Sequence, residues 1–257
     1  MRTGRTAMFV FLVIALLGGA YYLNPFSTET TTFRIVATYP HGTDDFTQGL
    51  VYIDGKLIEG TGLYGNSVLR RIDLETGEVL QTHELPPDVF GEGVTVLGDK
   101  VYQLTWREWT CYVYDLESLE LQDTINYPTE GWGLTHNGNY LIMSDGTSKL
   151  RLIDPETFYT VQTINVRNNG EPVDNLNELE YVDGIIYANI WMTDQIALID
   201  AISGNVVEMI DFSSLKDELD TDQIDVLNGI AYNPEKDTFY ITGKLWPTIF
   251  EVELIIK

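Results

Sequence analysis

The residues best placed to do chemistry stand at the ends of short apolar runs. Glu92 lies in Phe90-Gly91-Glu92-Gly93, beside an aromatic ring and between two glycines that let a ligand approach the backbone closely. A carboxylate so placed suits general acid–base work. Lys244 is confined within Thr242-Gly243-Lys244-Leu245-Trp246-Pro247, and Trp106, Trp132 and Trp191 lie next to turns, where they can wall a binding site. The segment Asn177-Glu178-Leu179-Glu180 carries two carboxylates two positions apart, a spacing that puts both on one face of a strand and could serve a hydrolase. His41, His83, His136 and the single Cys111 show no metal-ligand spacing, so neither a metal nor another cofactor is expected. A Gly-x-Ser-x-Gly elbow, a dinucleotide fingerprint and a phosphate loop are all absent from the sequence.

The elements that must position these residues announce themselves as repeats. Four segments, around Asp73, Asp115, Asp154 and Asp200, each run from an apolar strand end through an aspartate and a tight turn into another β-rich run. Their spacings of 42, 39 and 46 residues fit one four-stranded blade, not a helical repeat. A second repeat opens strands at Gln48, Glu92, Trp132, Glu178 (with Asn177 beside it) and Asn228, which makes five units. The last has room for three strands, and Thr32 to Ala37 is expected to supply the fourth and close the ring. The fold expected is an all-β, five-bladed β-propeller whose last blade is completed by an N-terminal strand.

In such a propeller the start of strand one and the end of strand two of each blade lie at one rim. That places Gln48, Glu92, Trp132, Asn177 and Glu178, and Asn228 beside Glu59, Trp106, Asp145, Trp191 and Lys244, all converging on one mouth. Taken singly, each has an ordinary explanation: a tryptophan packs between blades, a glutamate in a turn is solvated. Three tryptophans with a confined lysine and a glycine-flanked glutamate make a ligand site the better reading.

These segments, with Phe46-Thr47-Gln48-Gly49-Leu50, Glu59-Gly60-Thr61-Gly62-Leu63-Tyr64-Gly65, Leu104-Thr105-Trp106, Glu130-Gly131-Trp132-Gly133-Leu134, Ser144-Asp145-Gly146, Asn189-Ile190-Trp191 and Leu227-Asn228-Gly229-Ile230-Ala231, resemble in order the plant and bacterial type of glutaminyl-peptide cyclotransferase. The resemblance runs from about residue 33 to 254 and draws on every blade. It implies a metal-independent enzyme that converts an N-terminal glutaminyl residue of a peptide or protein to pyroglutamate with release of ammonia. It also implies a pocket made by Phe46, Gln48, Phe90, Glu92, Trp106, Trp132, Asn177, Trp191 and Lys244. Within it Glu92 would move the proton, Lys244 and Asn177 would stabilise the oxyanion, and Phe46, Gln48, Phe90 and the three tryptophans would bind substrate. Two other readings use the same aromatics: a carbohydrate-active enzyme built on Glu178 and Glu180, and a binding propeller with no catalytic group.

The formal charge of −24, from 39 acidic and 15 basic residues, argues against nucleic acid as a partner and fits a cationic substrate such as a peptide amino terminus. Cys111 falls in an apolar strand pattern and is expected to be a buried structural thiol. Arg2 and Arg5 precede an uncharged run at residues 8–23, so residues 1–26 are read as a signal peptide or N-terminal membrane anchor and 27–257 as the catalytic propeller. An extracytoplasmic location follows, periplasmic or secreted.

Overall fold

A computed structural model describes residues 31–255; the expected signal peptide or anchor lies outside the described residues. Four blades are antiparallel meanders formed in sequence order. Blade I comprises Thr47–Ile53, Lys56–Thr61, Val68–Asp73 and Val79–Glu84. Blade II follows with Gly91–Leu97, Lys100–Thr105, Thr110–Asp115 and Leu121–Asn126, and blade III with Leu134–His136, Leu141–Ser144, Lys149–Ile153 and Thr160–Asn165. Blade IV is Leu176–Val182, Ile185–Ile190, Gln195–Asp200 and Val206–Asp211. Blade V takes Leu227–Asn233, Thr238–Gly243 and Thr248–Ile255 from the end of the chain, and its outer strand, Thr32–Pro40, from the beginning.

That closure is the one the sequence predicts. Phe33 sits opposite Leu254 and Tyr39 opposite Ile249, and Phe33 stacks on Phe212 of the blade IV–V connection with ring centroids 4.5 Å apart. The four aspartates also act as expected between the third and fourth strands. Each carboxylate accepts the amide three residues on: Asp73 from Thr76, Asp115 from Ser118, Asp154 from Thr157 and Asp200 from Ser203. Apolar side chains alternate inward along the strands and fuse into clusters in which neighbouring blades pack together, such as Ile196, Leu227, Ile241 and Phe250. Cys111 is fully buried in one of them, and burial pushes its thiol far up the pH scale, so it is packing material and not a nucleophile.

Two irregularities near the axis matter for the site. The first strands of blades I, II, IV and V each slip register at their opening, between Thr47 and Gly49, Gly91 and Val94, Leu176 and Leu179, and Leu227 and Ile230. A bulge of this kind re-aims side chains at a sheet end. Immediately inside, the blades approach so closely that a β-carbon on Gly93 would strike the Trp132 carbonyl and Leu134 amide, and one on Gly133 would strike Asn177 and Glu178. Blade IV carries Glu178 where the other four blades carry Gly49, Gly93, Gly133 and Gly229.

Candidate active site

At the mouth, first-strand openings and second-strand ends surround a cavity of about 260 Å3 lined by Phe46, Gln48, Phe90, Glu92, Trp106, Trp132, Asn177, Trp191 and Lys244. All nine residues nominated from the sequence are therefore brought together. The lining is ordered by blade. Gln48, Glu92, Trp132 and Asn177 hold the same place at the start of strand one in blades I to IV. Trp106, Trp191 and Lys244 each follow the last residue of strand two, with backbone amides bonded to Phe90, Asn175 and Val226.

Four of the residues expected at the rim do not line the cavity. Glu59 is wholly buried, bound to His41 and Thr47; the blade I counterpart of Trp106 and Lys244 is Gly62, whose missing side chain makes room for the Phe90 ring. Asp145 is tied to Arg151 at 2.6 Å and to Thr147. Asn228 donates to the Thr47 carbonyl at 2.9 Å and to Gln48 Oε1 at 3.3 Å, so it orients a lining residue from behind. Glu178 accepts the Ile230 amide at 2.9 Å and the Leu50 amide at 3.4 Å, bracing blades IV, V and I. Glu180 accepts from Tyr232 and Thr135. Burial, then the neighbouring Glu180, holds Glu178 well above the usual carboxylate range, and burial pushes Glu180 up to about 8. The pair is bound to neighbouring blades and neither carboxyl lines the cavity.

Inside the cavity the polar groups are few and unspent. The Glu92 carboxyl has no side-chain hydrogen bond among the described residues; its burial drives its pKa well above the ordinary range, against the pull of Lys244, and Glu108 and Glu130 add to the rise. Lys244 shows the converse: burial lowers its pKa, opposed by Glu92 and Asp225, and its Nζ sits 4.6 Å above the Phe46 ring. No direct ion pair joins Glu92 to Lys244. Among the described residues Asn177 Oδ1 is buried without a partner, and Gln48, its oxygen already bound to Asn228, keeps its NH2 to donate.

The aromatic wall has a support that the sequence reading passed over. Glu130 Oε2 accepts from both Trp106 Nε1 at 3.0 Å and Trp132 Nε1 at 3.1 Å, while its other oxygen takes Arg107 Nε at 2.9 Å. Arg107 in turn covers the Trp106 ring at 3.7 Å. Trp132 meets Trp191 edge to face at 5.5 Å, and Phe90 meets Trp106 at 5.6 Å. The signal was present in Glu130-Gly131-Trp132, but nothing in the spacing says that one carboxylate serves two indoles from different blades.

His41, Asp45 and Glu59 place potential ligand atoms within 4.8 Å of one another. His41 faces Glu59 Oε1 and the Arg70 guanidinium binds Asp45 Oδ1, while Glu59 Oε2 is buried without a partner among the described residues. A divalent cation here would set its charge beside those of Arg70 and the His41 ring, which already engage one oxygen of Asp45 and one of Glu59, so this set fits an ion-pair network better than a metal.

A propeller whose aromatic-walled cavity gathers a buried carboxyl, a buried lysine and two amides has the makings of an enzyme for a small group. The chain belongs to the glutamine cyclotransferase family, whose model matches residues 10–254, and has that family's glutaminyl-peptide cyclotransferase activity. It is 38% identical to the glutaminyl-peptide cyclotransferase of Arabidopsis thaliana, an alignment covering 95% of this chain and 83% of that protein. The glutaminyl cyclase of Myxococcus xanthus superposes with a TM-score of 0.83 at 37% identity, covering 89% of this chain and 98% of the other.

Proposed function

We propose that the cavity receives the N-terminal glutaminyl residue of a peptide and cyclises it by proton transfer through Glu92, without a metal. The observation that carries this is the Glu92 carboxyl itself, buried in a cavity wall with no side-chain hydrogen bond among the described residues. An N-terminal glutamine brings its own nucleophile and electrophile, so the enzyme need only orient and manage protons. The α-amine nitrogen attacks the side-chain amide carbon and loses a proton to Glu92; the C–N bond to the amide nitrogen then breaks as Glu92 returns that proton, and ammonia leaves behind a five-membered lactam. A carboxyl whose burial raises its pKa above the ordinary carboxylate range is a better proton acceptor than an exposed one, and once protonated it can return the proton to the leaving nitrogen. Lys244 and the Asn177 amide stabilise the oxyanion, and the tryptophans keep out water that would hydrolyse the amide. The volume supports a substrate of this size: cavities of about 150 Å3 take a single ring, and about 300–1,000 Å3 suits larger ligands, so about 260 Å3 suits one residue better than a sugar chain.

The test is incubation of the purified protein with a short peptide beginning in Gln, followed by mass spectrometry. Loss of one ammonia per chain is expected, unchanged after exhaustive chelation; activity abolished by chelators and restored by zinc would refute the metal-free course. We further propose export through residues 8–23, by a cleaved signal or a retained anchor. Fractionation of expressing cells, with N-terminal sequencing of the product, distinguishes the two, and a cytoplasmic product of full length would refute both.

A further inference from the structure

The seam where blade V meets blade I holds a buried charge cluster that the reaction does not use. His41 Nε2 lies 2.9 Å from Glu59 Oε1 and its Nδ1 lies 2.8 Å from the Trp246 carbonyl oxygen. The two side chains are 1% and 0% exposed. A carboxylate and a carbonyl can only accept, so each ring nitrogen must carry a proton, and this geometry defines a buried imidazolium. The Thr242 hydroxyl, 3.4 Å from Nδ1, gives its proton to the Thr248 carbonyl at 2.9 Å. The charges facing His41 are Glu59 on strand two of blade I and Asp45 in the loop between the closing strand and blade I, with Arg70 on strand three bound to Asp45; two cations offset two anions. Burial alone would lower the His41 pKa, but the charge and hydrogen bond of Glu59, then Asp45, raise it on balance.

Both anchors of one active-site contact converge on this pair. On one side, His41 holds the Trp246 carbonyl with its ring and the Pro247 carbonyl with its own amide, at 3.0 Å, and the Leu245 amide bonds to the Asp45 carbonyl at 2.7 Å. These bonds fix the turn that carries Lys244. On the other, the Thr47 hydroxyl donates to Glu59 at 2.7 Å, one residue after Phe46, whose ring lies under the lysine ammonium. Leu245 itself is held at φ 62°, a backbone state that a leucine adopts only when its surroundings impose it.

We propose that the buried His41–Glu59 ion pair is a positioning device for Lys244, clamping the turn 242–247 against the loop 41–47 so that the ammonium stays over Phe46 and towards Glu92. The inference rests on Lys244 taking part in cyclisation. It is tested by a double-mutant cycle on cyclisation of a Gln-initiated peptide, with His41→Asn, Lys244→Ala and the double variant. His41→Asn is expected to lower kcat on the order of 10-fold with KM changed less than about threefold, and to cost almost nothing further once Lys244 is alanine. An equal loss in both backgrounds overturns the proposal. Should His41→Asn fail to fold, Glu59→Gln takes its place, since it preserves volume and an oxygen for Thr47. In the wild type, 15N spectra should show both His41 ring nitrogens protonated near neutral pH; a neutral tautomer there, or one equivalent of bound divalent metal lost on substitution of His41, overturns it as well. A wild type that cyclises nothing would instead defeat the functional reading, while the nitrogen spectra still report on the ion pair.

Discussion

At Glu92 the demands of catalysis and of folding pull in opposite directions. A carboxyl whose folded-state pKa is raised costs stability: the folded state binds its proton more tightly, so stability is greatest below the unfolded pKa and falls as pH rises towards the folded one. Glu92→Gln removes that cost and the proton shuttle together. It should lower kcat by about 10²–10⁴ while leaving the melting temperature at neutral pH equal to or above wild type; near-normal turnover would move the shuttle to another group. Lys244 bears on the same titration. Its charge is what holds the Glu92 pKa down, so Lys244→Ala should raise that pKa further and shift the acid limb of the kcat–pH profile to higher pH. A limb that stays in place would mean that the carboxyl titrating in kcat is not Glu92.

The strands explain both how the site was legible and where the reading failed. Aspartate turns of fixed local chemistry mark the third strand of each of four blades and set the blade period, while the five strand openings and the short last unit give the blade number and the closing strand. The nine lining residues are legible for the same reason: they recur at one place per blade. Glu178 and Asn228 were misplaced because period-two alternation breaks at the first-strand bulges, where one extra residue decides whether Asn177 or Glu178 faces the mouth, and Asp145 because Arg151 and Thr147 claim its carboxylate. Glu59 shows a second limit, since counting along blade I lands three residues short of Gly62 and a glycine leaves no side chain to notice. His41 and Glu130 were missed because their partners come from other blades. The closing strand offers a test at this scale. Deleting residues 1–26 should leave a folded protein, whereas deleting 1–38 strips most of Thr32–Pro40, exposes Thr248–Ile255 as an unpaired edge and should give aggregation or a large fall in melting temperature. Equal stability of the two would mean that the ring does not depend on that pairing.

Taken whole, the molecule is a strongly anionic ring with one lysine at the floor of its cavity. A net charge of −24 sets up a field that favours approach of a peptide amino terminus, and more so of peptides with lysine or arginine after the glutamine. For such peptides kcat/KM should fall as ionic strength rises through the range where the Debye length shrinks from about 30 to about 8 Å, with kcat unaffected; the same profile for acidic and basic peptides would assign the charge to solubility alone. The crowded axis has a different consequence, for symmetry. Glycine at this place in every blade would remove the carboxylate that accepts the Ile230 and Leu50 amides, and glutamate in every blade would drive β-carbons into neighbouring atoms at Gly49, Gly93, Gly133 and Gly229. A regular five-fold copy of any single blade of this chain is therefore an unsuitable blueprint: one blade must differ from the other four, and an engineer building an idealised ring from these repeats would have to choose the odd one first.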